Sequence, residues 1–281
     1  GVKDNLPKTA EAVSFTQLLD RPGTPVCLDI KESDLAACLF TSGTSGKPKG
    51  ALLSHSNLMF DSAASTKRTT MTGEDENLCV LPLFHSFAQL ASMIAPISLG
   101  GSITISPQFL PAEVLKLIAR RRISFLCAVP SMYTALLSFL AKTEDADISS
   151  LRICISGGSP LPLEISNAYK EKYGIVILEG NGPTETSPVA YVNPPSANKP
   201  GSVGPPLDGV TVKIVDDNNR SLPPGEIGEI CIKGPNVMQG YLNQPEATAE
   251  TLIDGWLHTG DLGKVDEDGY VYIVDRKKDM I

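Results

Sequence analysis

Ile123-Ser124-Phe125-Leu126-Cys127-Ala128-Val129, a helical stretch over 131–141, and Leu151-Arg152-Ile153-Cys154-Ile155-Ser156 spell a strand, a helix and a second strand. Both strands are near-continuous apolar runs, the pattern of strands covered on two faces. The same alternation extends outward. Upstream, Leu78–Leu83 reads as a strand, 86–98 as an apolar helix and Ser102–Ser106 as a strand, and Pro111 opens a helix to about Arg121. Downstream, 162–173 reads as a helix and Ile175–Leu178 as a strand. Strands alternating with helices predict right-handed βαβ units around a parallel sheet. Past about residue 185 the texture changes. Pro and Gly become frequent, and short strands are predicted at Val210–Val215, Glu229–Lys233 and Tyr270–Val274, the last entered through an Asp268-Gly269 hairpin turn. The expected fold class is therefore α/β: a parallel sheet flanked by helices, plus a smaller antiparallel β-rich subdomain.

Composition narrows the function classes. In 281 residues the apolar content is 42%, enough for a sizeable core, and the charged content is 20%, ordinary for a globular chain. The formal charge of -8 and the lack of a long basic run argue against nucleic acid as a partner. The longest basic cluster, Arg120-Arg121-Arg122, closes an amphipathic helix, where cations suit the C-terminus. No apolar run approaches the ~20 residues of a membrane span, so any membrane contact would be peripheral. The six cysteines contain no C-x-x-C, several sit in strand-like runs, and they read as buried free thiols of a reducing compartment. The cytoplasm is the expected location. Nothing in the sequence speaks to oligomeric state.

Residues 40–50 carry the strongest local signal: Phe40-Thr41-Ser42-Gly43-Thr44-Ser45-Gly46-Lys47-Pro48-Lys49-Gly50. Glycines let a backbone approach a ligand and turn its N–H groups inward. The hydroxyls of Thr41, Ser42, Thr44 and Ser45 add donors, and Lys47 and Lys49 add positive charge. Together they suit a polyphosphate. A flexible Gly/Ser linker has no use for two lysines flanking a proline between apolar segments. A Walker A loop needs Ser or Thr after its lysine, where this chain has Pro48. After the loop, Ser54 is the expected N-cap of a helix to about Arg68.

The loop resembles the phosphate-binding motif of the adenylate-forming superfamily of acyl-CoA synthetases, luciferases and peptide-synthetase adenylation domains. Further motifs follow in that family's order. Gly180-Asn181-Gly182-Pro183-Thr184-Glu185 lies at the carboxyl end of the last parallel strand, where open α/β sheets bind ligands. The resemblance implies that Thr184 reaches a phosphate and that Thr41 and Glu185 stand beside Mg2+. Asn181 stands where the family usually stacks an aromatic ring on adenine, and an amide cannot stack as a ring does. Ser156-Gly157-Gly158-Ser159-Pro160-Leu161 is similar to the small-residue turn lining the nucleotide, and it also reads as a plain tight strand-to-helix loop. Gly255-Trp256-Leu257-His258-Thr259-Gly260-Asp261 resembles the motif whose aspartate, here Asp261, takes the ribose hydroxyls. Gly269–Ile281 resembles the segment leading into the family's hinge. There Arg276 is expected at the ribose or phosphate and Lys278 at the hinge position.

The implied reaction joins a carboxylic acid to ATP as acyl-AMP, with coenzyme A then taking the acyl group. A carboxylate is already ionised at neutral pH and needs no general base. It needs its repulsion from the phosphates neutralised and its attack aligned. No G-x-S-x-G nucleophile elbow occurs. Pro82-Leu83-Phe84-His85-Ser86-Phe87 resembles the acyl-pocket segment of acyl-CoA synthetases, with His85 as the pocket residue or as a satisfied packing histidine. No Asp lies between Asn77 and Asp145 to catch an amino group, so a fatty acid is the expected substrate and an aryl acid of cinnamate type the alternative. The resemblance implies the divisions 1–185 (nucleotide and acyl binding), 186–274 (β-rich) and 275–281 (start of the hinge). It also implies a piece of a longer enzyme, lacking part of the N-terminal subdomain and the C-terminal lid. A binding module without turnover is the alternative for such a piece.

Overall fold

The computed structural model describes residues 28–41, 48–143 and 146–277, with Thr16, Leu19 and Gly23. The chain divides into two units, Gly1–Lys31 and Glu32–Ile281, and every element named below belongs to the second. It begins with an antiparallel pair, β1 (Leu35–Thr41) and β2 (Lys49–Ser54), in register Thr41 to Lys49 and Phe40 to Gly50. The glycine-rich segment is thus the connection of a hairpin. Its residues Ser42, Gly43, Thr44, Ser45, Gly46 and Lys47 lie outside the described residues, as does Lys278.

Ser54 caps helix α1 (His55–Thr69) as its sequence position predicts. Its Oγ accepts the Asn57 N–H at 3.1 Å, and the Asn57 side chain accepts the Ser54 N–H at 2.9 Å. This reciprocal capping box satisfies two otherwise orphaned donors. Asn57 also donates from Nδ2 to the carbonyls of Pro235 at 2.6 Å and Val237 at 3.0 Å. One cap therefore fastens α1 to a segment far along the chain.

The alternating region follows as β3 (Glu76–Cys79), α2 (Ser86–Gln89), a π-helical turn Leu90–Ile94, α3 (Ala95–Ser98), β4 (Ser102–Ile105), α4 (Pro111–Arg121), β5 (Phe125–Ala128), α5 (Pro130–Leu140), β6 (Ile153–Ser156), α6 (Leu163–Tyr173), β7 (Ile177–Asn181) and β8 (Tyr191–Val192). The single helix expected over 86–98 is interrupted by the wide turn. Pro96 cannot donate to the carbonyl four residues back and its ring crowds that carbonyl, so the local ladder widens. The sheet order is β4-β3-β5-β6-β7-β8; the first five strands are parallel and β8 is antiparallel on β7. Every residue of β5 and β6 is buried.

The remaining elements are β9 (Thr211–Val215), β10 (Gly228–Lys233), β11 (Gly240–Tyr241), α7 (Pro245–Thr251), β12 (Leu252–Ile253), β13 (Trp256–Val265) and β14 (Val271–Arg276). Trp256–Asp261 falls within a ten-residue strand, β13, in an antiparallel sheet β12-β13-β10-β9 with β14 on its flank. Gly260 takes φ +72° there, where the pairing with β10 shifts register between Glu229 and Cys231. β11 pairs with β2, closing a third sheet, β1-β2-β11. One core fills the helix-covered parallel sheet; a second joins Ala51, Leu53, Leu58 and Tyr191 to Ile230, Ile232 and Leu257. Cys79, Cys127, Cys154 and Cys231 are free and buried as expected, whereas Cys38, on the edge strand β1, is exposed.

A buried charge fastens the amino ends of the parallel strands. Asp75, just ahead of β3, accepts from the Ser124 hydroxyl at 2.7 Å, the Thr72 N–H at 2.8 Å and the Arg152 guanidinium. Ser124 precedes β5 and Arg152 precedes β6. Burial pushes the Asp75 carboxyl up, but the Ser124 hydroxyl, the Thr72 N–H and Arg152 together outweigh it and hold it below the usual carboxylate value. A depressed value stabilises the fold above the unfolded pKa, and that contribution is lost as pH falls through the folded one. Asp75→Asn is expected to cost about 2 kcal/mol near neutral pH. It should also flatten the acid-side loss of stability below about pH 4, as read from urea midpoints across pH.

Candidate functional site

The carboxyl end of β7 leads into a tightly determined turn. A Cβ on Gly182 would stand 2.2 Å from the Pro188 carbonyl oxygen and 2.6 Å from the Ala190 nitrogen, so the position admits only glycine. Thr184–Thr186 then form one 3-10 turn. Thr184 Oγ1 lies 3.2 Å from the Ser86 hydroxyl at the start of α2. Glu185 is held on the opposite side: its Oε1 accepts the Tyr241 hydroxyl at 2.7 Å, and its carbonyl accepts the Met238 N–H at 2.8 Å. Its other carboxylate oxygen has no protein donor among the described residues.

Tyr241 also meets the hairpin. β11 pairs Tyr241 with Ala51, and the Lys49 ammonium sits 5.0 Å from the centre of the Tyr241 ring. The Thr41 hydroxyl is 3.5 Å from the Lys49 carbonyl, at the strand ends that flank the glycine-rich connection. Thr41, Lys49, Thr184 and Glu185 are thus brought to one place.

The turn after β6 closes on the same strand ends. A Cβ on Gly157 would be 3.0 Å from the Gly180 carbonyl and 3.4 Å from the Phe87 ring, and Gly158 has φ +83°. Buried Glu179 organises this turn, and the sequence reading passed over it. Its Oε2 accepts the Leu161 N–H at 3.3 Å, and its Oε1 the Gly201 N–H at 2.9 Å. Burial pushes its carboxyl up and the two N–H groups oppose the rise. A carboxylate directly after the apolar run Ile175–Leu178 was the available signal, since a buried charge needs partners. His85 is exposed, and its Nδ1 accepts the Phe87 N–H at 3.2 Å as the N-cap of α2.

Asp261 and Arg276 face each other across β13 and β14, with Arg276 Nε 3.4 Å from an Asp261 carboxylate oxygen. Burial pushes the Asp261 carboxyl up; Arg276 opposes this, while Glu185 and Glu229 lie close enough to add to the rise. Glu229 accepts the Gly260 N–H at 3.1 Å and pairs with Lys277 at 3.3 Å; Lys277 in turn donates its N–H to the Gly260 carbonyl at 2.8 Å. His258 and Cys231 lie behind this group. Cys231 Sγ and Glu229 Oε2 are both 3.4 Å from the same His258 nitrogen, so no relay through the ring exists. Burial and Glu229 push the Cys231 thiol up to about 12, which makes it an inert packing group.

No group of three or more His, Cys, Asp or Glu among the described residues could cage a metal. A single carboxylate with one free oxygen suits Mg2+, which binds through one or two carboxylates plus phosphates rather than in an all-protein cage. The groups assembled are a carboxylate able to accept hydroxyls (Asp261), two cations able to meet anions (Lys49, Arg276) and a carboxylate able to bind a hard cation (Glu185). The profile of the AMP-binding enzyme family matches residues 2–242. This chain belongs to that family.

The AMP-binding enzymes it resembles include the feruloyl-CoA synthase of Amycolatopsis sp., 38% identical over 262 residues, covering 92% of this chain and 52% of the relative. The long-chain-fatty-acid–CoA ligase of Bacillus subtilis strain 168 is 37% identical over 281 residues, covering 98% of this chain and 50% of that one. The fold is also that of the O-succinylbenzoate coenzyme A synthetase of Bacillus subtilis in complex with ATP and magnesium ion. The TM-score is 0.86 at 32% identity, covering 95% of this chain and 55% of that one. The chain spans about half the length of the curated relatives it matches. Gly182→Ala forces a backbone clash at the turn carrying Thr184 and Glu185, and is expected to cost about 3 kcal/mol, read from the urea midpoint.

Proposed function

We propose that the protein to which this chain belongs activates a carboxylic acid with ATP as acyl-AMP and then passes the acyl group to coenzyme A. The observation that carries this reading is the convergence of the hairpin ends, Thr184–Glu185 and the Asp261–Arg276 pair beyond the carboxyl end of β7. Asp261 takes the ribose hydroxyls, since an ionised carboxylate is an acceptor for both. Arg276, mostly exposed and lightly paired with Asp261, is available to ribose or phosphate oxygens. Thr41, Ser42, Gly43, Thr44, Ser45 and Gly46, together with Lys49, bind the phosphates in this reading. Bound Mg2+ neutralises phosphate charge, and Glu185, with Thr41, holds it. Gly157, Gly158 and Gly180–Gly182 bring backbone close to the nucleotide, with Asn181 offering its amide where relatives stack a ring. The chain's residues thus position and neutralise, which is what an already ionised acid requires.

His85 faces the acyl group in this reading, with its Nδ1 committed to capping α2 and its side chain exposed. A fatty acid is the first substrate class. An aryl acid is the second, favoured by the feruloyl-CoA synthases at 38% identity beside a fatty-acid ligase at 37%. Lys278 serves as the hinge, residues 1–185 and 186–274 as the nucleotide-facing and β-rich parts, and the cytoplasm as the location. Among the described residues no helix is long and apolar enough to cross a membrane.

ATP–pyrophosphate exchange driven by a panel of carboxylates tests the reaction. Exchange with fatty or hydroxycinnamic acids by the full-length protein is expected, and much weaker exchange by the 281-residue chain. ATP hydrolysis with no dependence on any acid contradicts the reading. Asp261→Ala is expected to weaken AMP binding about tenfold, measured by calorimetry, with the urea midpoint little changed.

A further inference from the structure

Opposite charges that both serve one ligand tend to neutralise each other before it arrives. Lys49 and Glu185 are such a pair, yet no direct ion pair forms between them in the structure. What stands between them is Tyr241. The Lys49 ammonium lies over one face of its ring, 5.0 Å from the centre, while its hydroxyl donates to Glu185 Oε1 at 2.7 Å. Tyr241 is buried, with 8% of the residue's surface exposed. It is also fixed at its backbone: the Tyr241 N–H donates to the Thr248 hydroxyl at 2.9 Å, and β11 pairs with β2 beside Ala51. Neither charge can therefore displace it cheaply.

We propose that Tyr241 is a positioning residue that acts as a spacer, its ring holding Lys49 off Glu185 while its hydroxyl aims the carboxylate, so that both charges stay free for a metal-bound triphosphate. The proposal rests on the reading of Glu185 as the carboxylate of the metal site. The two functions of the side chain belong to different atoms. The ring takes the cation through its negative face, and a phenylalanine does this nearly as well. The hydroxyl leaves only one Glu185 oxygen for the metal and fixes its direction, and a phenylalanine cannot do that. Loss of the whole ring would let Lys49 fall onto Glu185 and cancel both.

The test measures Mn2+ binding to the 281-residue chain in the presence of ATP, by electron paramagnetic resonance, beside ATP binding in EDTA by calorimetry. Tyr241→Phe is expected to weaken Mn2+ about tenfold and to change ATP binding in EDTA by less than about twofold. Tyr241→Leu is expected to weaken both by about tenfold or more. In a Lys49→Met background, Tyr241→Leu should cost Mn2+ no more than Tyr241→Phe does, because no cation remains to collapse. Far-ultraviolet dichroism and urea midpoints establish that each variant is folded. Should Tyr241→Leu fail to fold, Tyr241→Phe still decides the matter, because unchanged Mn2+ binding in it contradicts the proposal. If Tyr241→Phe binds Mn2+ like the unaltered chain while Glu185→Gln loses it, the spacer role is wrong and the metal reading stands. If Glu185→Gln also keeps Mn2+, or the unaltered chain binds no Mn2+ with ATP, the metal reading itself falls and the proposal with it.

Discussion

The pairing of β11 with β2 is a two-residue contact, Gly240 against Leu52 and Tyr241 against Ala51, and the site depends on it. Without it the sheet that carries the glycine-rich hairpin has only two strands, an arrangement only marginally stable in water on its own. With it, the hairpin is sewn to the segment that follows β10, and through Tyr241 to the turn beyond β7. The Asn57 cap reinforces the same junction by binding the carbonyls of Pro235 and Val237. Main-chain pairing thus places Lys49 and Glu185 near each other although more than a hundred residues separate them.

Charge placement on this frame follows from what each group gives up. Asp75 lies at the opposite end of the parallel sheet with its acceptor oxygens filled and its carboxyl held low, and it stabilises. Asp261 is half-buried near other carboxylates with a single, mostly exposed guanidinium in reach, and its carboxyl is pushed up. One carboxylate is satisfied by the fold and the other is left wanting a donor. In the proposed site a ribose, with its two adjacent hydroxyls, would supply the donors that the fold does not give Asp261.

The parallel sheet was legible because its strands are buried on both faces and read as unbroken apolar runs. β5 and β6 lie inside the segments read as strands, with only their ends shortened. β2 and β13 were not legible as strands. Gly50 interrupts the first, and Gly260 and Gly263 the second, and glycine in a strand signals a turn or bulge before it signals pairing. The π-helical turn at Leu90–Ile94 escaped because hydrophobic periodicity registers a helix and not its hydrogen-bond ladder, and only Pro96 hinted at the break. In the site, the glycine-rich segment stood out by its residue types, and Thr184–Glu185 and Asp261 were singled out by the family resemblance of their motifs. Tyr241 and Glu179 were not, because their importance lies in partners that are distant in sequence: a carboxylate 56 positions away for the first, and the N–H groups of two separate loops for the second.

The central claim is that the hairpin, Thr184–Glu185 and Asp261–Arg276 are parts of a single nucleotide site. A crystal structure of the chain with a non-hydrolysable ATP analogue and Mg2+ tests it most directly. The account predicts ribose hydroxyls on the Asp261 carboxylate, the triphosphate running to the connection between β1 and β2, and the metal on the free Glu185 oxygen. Nucleotide density away from these residues, with Asp261 and Glu185 both untouched, would contradict it.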